Sequence, residues 1–163
     1  ANKGSNYEGG LRVPAIIKWP GGGKAGMTSG IPITSTDFYP TILAAVGQPL
    51  RPHQHMDGVD LTPLLAGESE LKREALFWHY PHYNRHPQNF PAGVIRAGDW
   101  KLMQAFESGE VSLFNLAEDI GETTNLATKH PNRARRMLGW LNEWQLKVGA
   151  DPMRPNPEFR EGK

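Results

Sequence analysis

The sequence predicts an α+β chain: a strand and a helix suited to an α/β sheet, followed by a small four-stranded antiparallel sheet packed by one C-terminal helix. Three observations carry this. A short apolar run and a capped helix open the chain, four strand-like runs without intervening helices occupy the second half, and a long amphipathic stretch follows them.

Pro14-Ala15-Ile16-Ile17-Lys18-Trp19-Pro20 is an apolar run bracketed by prolines and predicts a buried strand. Gly21 to Gly26 predicts an exposed turn. Ser35-Thr36-Asp37 supplies N-cap chemistry for a helix through Val46, with Gly47 as its C-terminal cap. Phe38, Ile42, Leu43 and Val46 share one face of that helix and are expected to pack on the sheet. Met56 to Leu65 reads as a turn and a short helix. The polar stretch Gly67 to Arg73 suggests a boundary, giving a first unit over residues 1–66 and a second over 67–163.

In the second unit, Ala75 to Tyr80 has strand composition and Pro81 ends it. Val94 to Phe106 reads as two strands about a Gly98-Asp99 turn, and Ser108-Gly109-Glu110 turns the chain into a fourth strand, Val111 to Leu116. Pro131 then starts a helix ending near Val148, with Met137, Leu141, Trp144 and Val148 on one stripe. Arg133, Arg135 and Arg136 read as its solvated face, and the proline-containing segment from Asp151 as an extended tail.

Composition narrows the function. Eighteen Lys and Arg against 17 Asp and Glu leave a formal charge of +1, and the scattered basic residues do not call for nucleic acid. No apolar run approaches the length of a membrane span. Zero cysteines exclude disulfides, thiolate metal sites and a cysteine nucleophile within these 163 residues.

Chemistry concentrates in two places. Lys3-Gly4-Ser5-Asn6-Tyr7-Glu8-Gly9-Gly10 offers an ammonium on a flexible turn, suited to an anionic ester oxygen, although a solvated turn lysine has the same pattern. Glu8 reads as an anchor for nearby backbone N–H groups. Trp78-His79-Tyr80-Pro81-His82-Tyr83-Asn84-Arg85-His86 combines stacking surfaces with hydrogen-bond donors, as a sugar site needs. The same residues would equally serve as an aromatic seam.

Taken together, Lys3-Gly4 before Tyr7-Glu8-Gly9-Gly10, then Arg12-Val13-Pro14, Thr36-Asp37, Asp57-Gly58-Val59, Arg96 to Leu102 and Leu113-Phe114-Asn115-Leu116 make a recognisable series. It is completed by Glu118-Asp119-Ile120-Gly121-Glu122-Thr123-Thr124-Asn125-Leu126. The whole chain resembles the C-terminal portion of a type I, formylglycine-dependent sulfatase of the alkaline-phosphatase-like superfamily. The resemblance implies that Lys3 is catalytic, reaching the sulfate ester, and that His79 and His82 contact the substrate. It implies Ca²⁺ and formylglycine in the intact enzyme, a sulfated carbohydrate as substrate, and a periplasmic or secreted location.

No Cys/Ser-x-Pro-x-Arg motif occurs, and Asp57, Asp60 and Asp99 do not match the family's Ca²⁺ ligands, so no metal residue is assigned. The chain alone is therefore expected to be an inactive fragment whose partner is the missing N-terminal catalytic region. An unpaired strand edge would favour self-association. Two other readings stand beside this one: a phosphatase or phosphonate monoester hydrolase of the same superfamily, and a non-catalytic glycan-binding or assembly module.

Overall fold

Turn chemistry and side-chain alternation together build the sheet. In the computed structural model, which describes residues 2–19, 23, 25–154 and 156–158, β1 (Leu76–Tyr80), β2 (Ala92–Ala97), β3 (Trp100–Ala105) and β4 (Val111–Asn115) pair antiparallel in sequence order. Gly98 at φ 56° and Gly109 at φ 71° supply the left-handed residues of the two hairpin turns that follow β2 and β3. The register sets Phe77 opposite Ile95, Ile95 opposite Leu102 and Leu102 opposite Leu113. An apolar row therefore crosses one face, and a slip of one residue would turn it to the other.

α4 (Pro131–Val148) covers that row. Ala134, Met137 and Leu141 join Ile95, Leu102 and Leu113 in one buried cluster, and Trp144 stacks on Phe77 with ring centroids 5.0 Å apart. Pro131 in the first turn and Gly149 at φ 64° bound the helix. The arginines expected on a solvated face do more than face water. Arg133 lies 4.2 Å from the Trp100 ring centroid and Arg136 lies 5.7 Å from that of Trp140, so guanidinium groups cover indole faces beside the apolar core.

On the opposite face Val94, Met103, Phe114 and Leu116 are buried, and Tyr7, Leu11, Trp78 and Phe90 pack against them. The N-terminal segment, with its single helical turn α1 (Glu8–Leu11), thus closes the second face. Ala1–Pro14 and Glu74–Lys163 form one compact unit, and Ala15–Arg73 forms another. This division differs from a boundary after residue 66, because Tyr7 and Leu11 bury their side chains against the sheet.

In Ala15–Arg73 a 3₁₀ turn (Ser35–Asp37) leads into α2 (Phe38–Ala45), and α3 (Thr62–Leu65) follows. The cap falls one residue before Ser35-Thr36-Asp37, at Thr34, which forms a capping box with Asp37, and Gly47 takes φ 67° beyond the helix end. Asp37 is fully buried. It accepts from the backbone N–H groups of Thr34 and Val59 and from Arg73 Nη1, at 2.8, 3.0 and 2.6 Å.

Two expectations for this unit are corrected. Ala15 to Trp19 form no strand and Ile16 is 98% exposed, because an extended run becomes a strand only through a hydrogen-bonded neighbour, and none is present among the described residues. The apolar face of α2 is likewise open, with Phe38, Ile42 and Val46 exposed, while Pro40 and Thr41 are the residues it buries. Pro20, Gly21, Gly22 and Lys24 of the predicted strand end and turn, and residues 155 and 159–163 of the predicted tail, lie outside the described residues.

Candidate functional site

Lys3 and Gly4 are exposed, whereas Ser5, Asn6 and Glu8 a little further on are buried. Ser5 closes a turn across Lys3-Gly4 by donating its N–H and its hydroxyl to the Asn2 carbonyl, at 3.3 and 3.1 Å. Gly4 has φ 97°, which favours glycine. Gly10 is required for a different reason, since a Cβ there would fall 2.1 Å from the Ser5 carbonyl oxygen. Asn6 fastens the turn to the segment before β2 by donating Nδ2 to the Phe90 carbonyl at 2.7 Å.

Behind this turn lies a buried charge network. Lys101 on β3 is fully buried, with its Nζ 3.1 Å from Glu8 Oε1 and 2.8 Å from Glu122 Oε1. Arg96 Nη1 lies 3.3 Å from Glu8 Oε2. The Glu8 backbone N–H donates to Glu122 Oε2 at 2.6 Å. Two carboxylates are therefore matched by two cations in a site of low dielectric, so that no buried charge is left uncompensated. Glu8 anchors, as expected, but through Lys101 and Arg96 rather than through the N–H groups of Gly9 and Gly10.

The segment Glu118 to Leu126 is built to deliver Glu122. Asp119 accepts from the N–H groups of Thr123 and Thr124 at 2.8 and 2.9 Å. These bonds, with that from Thr124 contributing most, hold its carboxyl below the usual range. Glu122 itself sits at φ 55°, the one described non-glycine residue with positive φ. Asn125 Oδ1 accepts from Leu113 N at 3.0 Å and fixes the segment to β4. Tyr7, beside this network, has its hydroxyl pKa raised by burial and then by the Glu122 and Glu110 charges.

A cavity of about 330 Å³ opens along Glu8, Gly9, Arg12, Ile120, Gly121 and Glu122. Arg12 lines it and makes no ion pair among the described residues.

The two histidines expected to contact substrate part company. His79 projects to the α4 face, where its Nδ1 is 3.1 Å from Gln145 Nε2 and its Nε2 is 2.8 Å from the Asp151 carbonyl. The Lys3 segment packs on the other face, so the sheet stands between them. His82 is exposed, with its ring edge-on to Tyr80 at 5.6 Å. Tyr80 in turn meets Asn84, whose Nδ2 donates to the Gly4 carbonyl at 2.7 Å. His82 is thus linked by contacts toward the Lys3 turn, whereas His79 is not. Sequence reasoning missed Lys101, Glu122, Asn84 and the contact from His86 to Asn2.

Among the described residues no group of three His, Asp or Glu side chains could hold a metal. Asp60 is engaged locally before α3, accepting from Thr62 N at 2.8 Å.

Residues 2–141 match the sequence profile of N-sulphoglucosamine sulphohydrolase, C-terminal. The chain belongs to the sulfatase family. It is 36% identical over 163 residues to a sulfatase of Formosa agariphila, covering 91% of this chain and 29% of that protein. It is 36% identical over 166 residues to arylsulfatase A of Homo sapiens, covering 88% of this chain and 32% of the relative. The crystal structure of Ps i-CgsB shares the fold with a TM-score of 0.71 at 29% identity, covering 88% of this chain and 31% of that one. Ps i-CgsB has also been solved in complex with k-i-k-neocarrahexaose. The chain spans about three tenths of the length of these sulfatases, in their C-terminal portion, as the resemblance read from its motifs implies.

Proposed function

We propose that the complete protein carrying this chain is a sulfuric ester hydrolase acting on a sulfated carbohydrate, and that Lys3 is the cation that meets the sulfate. Hydrolysis breaks an S–O bond and yields an alcohol and inorganic sulfate, so negative charge grows on the leaving oxygen. An ammonium beside that oxygen stabilises the charge as it develops. The observation that carries this reading is the Lys3 turn itself: an exposed lysine in a turn closed by Ser5 and anchored by the buried Asn6, within a sequence belonging to the sulfatase family.

A carbohydrate substrate is supported by the oligosaccharide complex of Ps i-CgsB and by the exposed aromatic and histidine side chains His82 and Tyr83. His82 remains a substrate-contact candidate. His79 is the weaker one, since its ring nitrogens are engaged by Gln145 and Asp151.

The residues in hand do not supply a site for Ca²⁺ or for formylglycine. The sequence has no cysteine and no Ser-x-Pro-x-Arg motif, and the described carboxylates Asp37, Asp60 and Asp119 are spent on backbone N–H groups. No step is assigned to either group, and both belong with the N-terminal catalytic region as the proposed partner. No described helix is long and apolar enough to cross a membrane. A periplasmic or secreted location is proposed from the family alone.

The test is Lys3→Ala in the complete protein, assayed with p-nitrophenyl sulfate. Loss of one charge-stabilising donor is expected to lower kcat by about 10²–10³-fold. Wild-type turnover in that variant would refute the assignment.

A further inference from the structure

We propose that Asn84 and His86, in the loop joining β1 to β2, are positioning residues for Lys3, holding the Gly4 backbone on one side of it and the Asn2 side chain on the other while the Lys3 side chain stays exposed. The inference rests on the reading of Lys3 as the sulfate-facing cation. Asn84 uses both ends of its amide. Its Nδ2 donates to the Gly4 carbonyl at 2.7 Å, and its Oδ1 accepts from the His86 N–H at 2.8 Å. One side chain therefore bonds the Lys3 turn and fixes the backbone of the residue that bonds it a second time.

His86 makes that second contact, from Nε2 to Asn2 Oδ1. Its Nδ1 faces the Gln88 N–H at 3.1 Å. A backbone N–H can be accepted only by a ring nitrogen without a proton, so the geometry selects the neutral tautomer with Nε2–H donating to Asn2. Asn2 and Gly4 are the two chain neighbours of Lys3. The Asn2 carbonyl also closes the turn onto Ser5, and a Cβ at position 4 would approach His86 Cβ to 3.3 Å. The loop thus meets the turn by a hydrogen bond on each side of the lysine and by close packing against Gly4.

The physical consequence concerns the root of a long side chain. Lysine has many rotamers, and an ammonium hung on a loose turn samples a volume far larger than the site that needs it. Fixing the Cα confines that search, and a displacement of about 1 Å in a reacting group can cost about 100-fold in rate.

The experiment uses the complete protein with p-nitrophenyl sulfate and peptide-resolved hydrogen exchange. Asn84→Ala and His86→Ala are expected to quicken exchange in residues 2–7 while β2 and β3 keep their protection, and to lower kcat/KM by about 10- to 100-fold. His86→Gln, whose amide can still donate to Asn2, should recover most of that loss, which a general packing defect would not predict. Lys3→Ala run in parallel separates the two ideas. If it keeps wild-type kcat/KM the sulfate reading fails, and the exchange data then report only a structural clamp. With Lys3→Ala inactive, the proposal is overturned by unchanged exchange in residues 2–7, by loosening that spreads through β2 and β3, or by local loosening with kcat/KM within about twofold of wild type.

Discussion

Lys101 illustrates how one side chain can make a motif necessary. Its ammonium is fully buried between Glu8 and Glu122, so removing it leaves Glu8 with Arg96 alone and strips the buried Glu122 carboxylate of its cation. Lys101→Met is expected to cost about 3–5 kcal/mol in urea unfolding, and the triple variant with Glu8→Gln and Glu122→Gln to recover much of it. A single variant as stable as wild type would show the network to be slack. Lys101 could have been found from the sequence. It alternates with Leu102 along a strand whose two faces are both covered, and an inward charge demands a partner. The partners were harder, since they lie 93 residues upstream and, for Glu122, in a turn downstream. The role of His86 was hidden for the same reason: its partner Asn2 is 84 residues away.

At the scale of elements, the four strands, both hairpin turns and α4 were legible because each rests on local rules: alternation, glycine at positive φ, and caps. The first unit was legible only in part. The helix and its C-terminal Gly47 are local and came out as read, with the N-cap shifted to Thr34 and the end to Ala45, whereas a strand at Ala15–Trp19 depends on a neighbour absent among the described residues. The turn from Asn115 to Leu126 carries its own test. The folded Asp119 carboxyl lies below its ordinary value of 3.8, chiefly through the Thr124 N–H, so the folded chain binds fewer protons than the unfolded chain in acid. Its contribution is then complete above that ordinary value and is lost as pH falls through the lowered one. Asp119→Asn should flatten this acid limb of the stability curve. An unchanged limb would place the titration elsewhere.

For the molecule as a whole, the two compact units differ in how they are held. Around the sheet, two apolar clusters fill both faces. Ala15–Arg73 relies on Leu61, Leu64 and Pro40 about the Asp37 hub, and leaves Ile16, Ile42 and Val46 exposed. Exposed apolar groups of this kind favour association, so the isolated 163-residue chain is expected to sediment faster as its concentration rises. A constant monomer value would count against this. The network of Glu8, Lys101 and Glu122 bears finally on synthesis. Glu8 leaves the ribosome 114 residues before the side chain that accepts its N–H. At about 5–20 residues per second, that is roughly 6 to 23 s during which the Lys3 segment has been made but the Glu122 side chain has not. The segment proposed to meet the sulfate is among the first parts of this chain to be translated, and its bond to Glu122 is among the last of its contacts that can form.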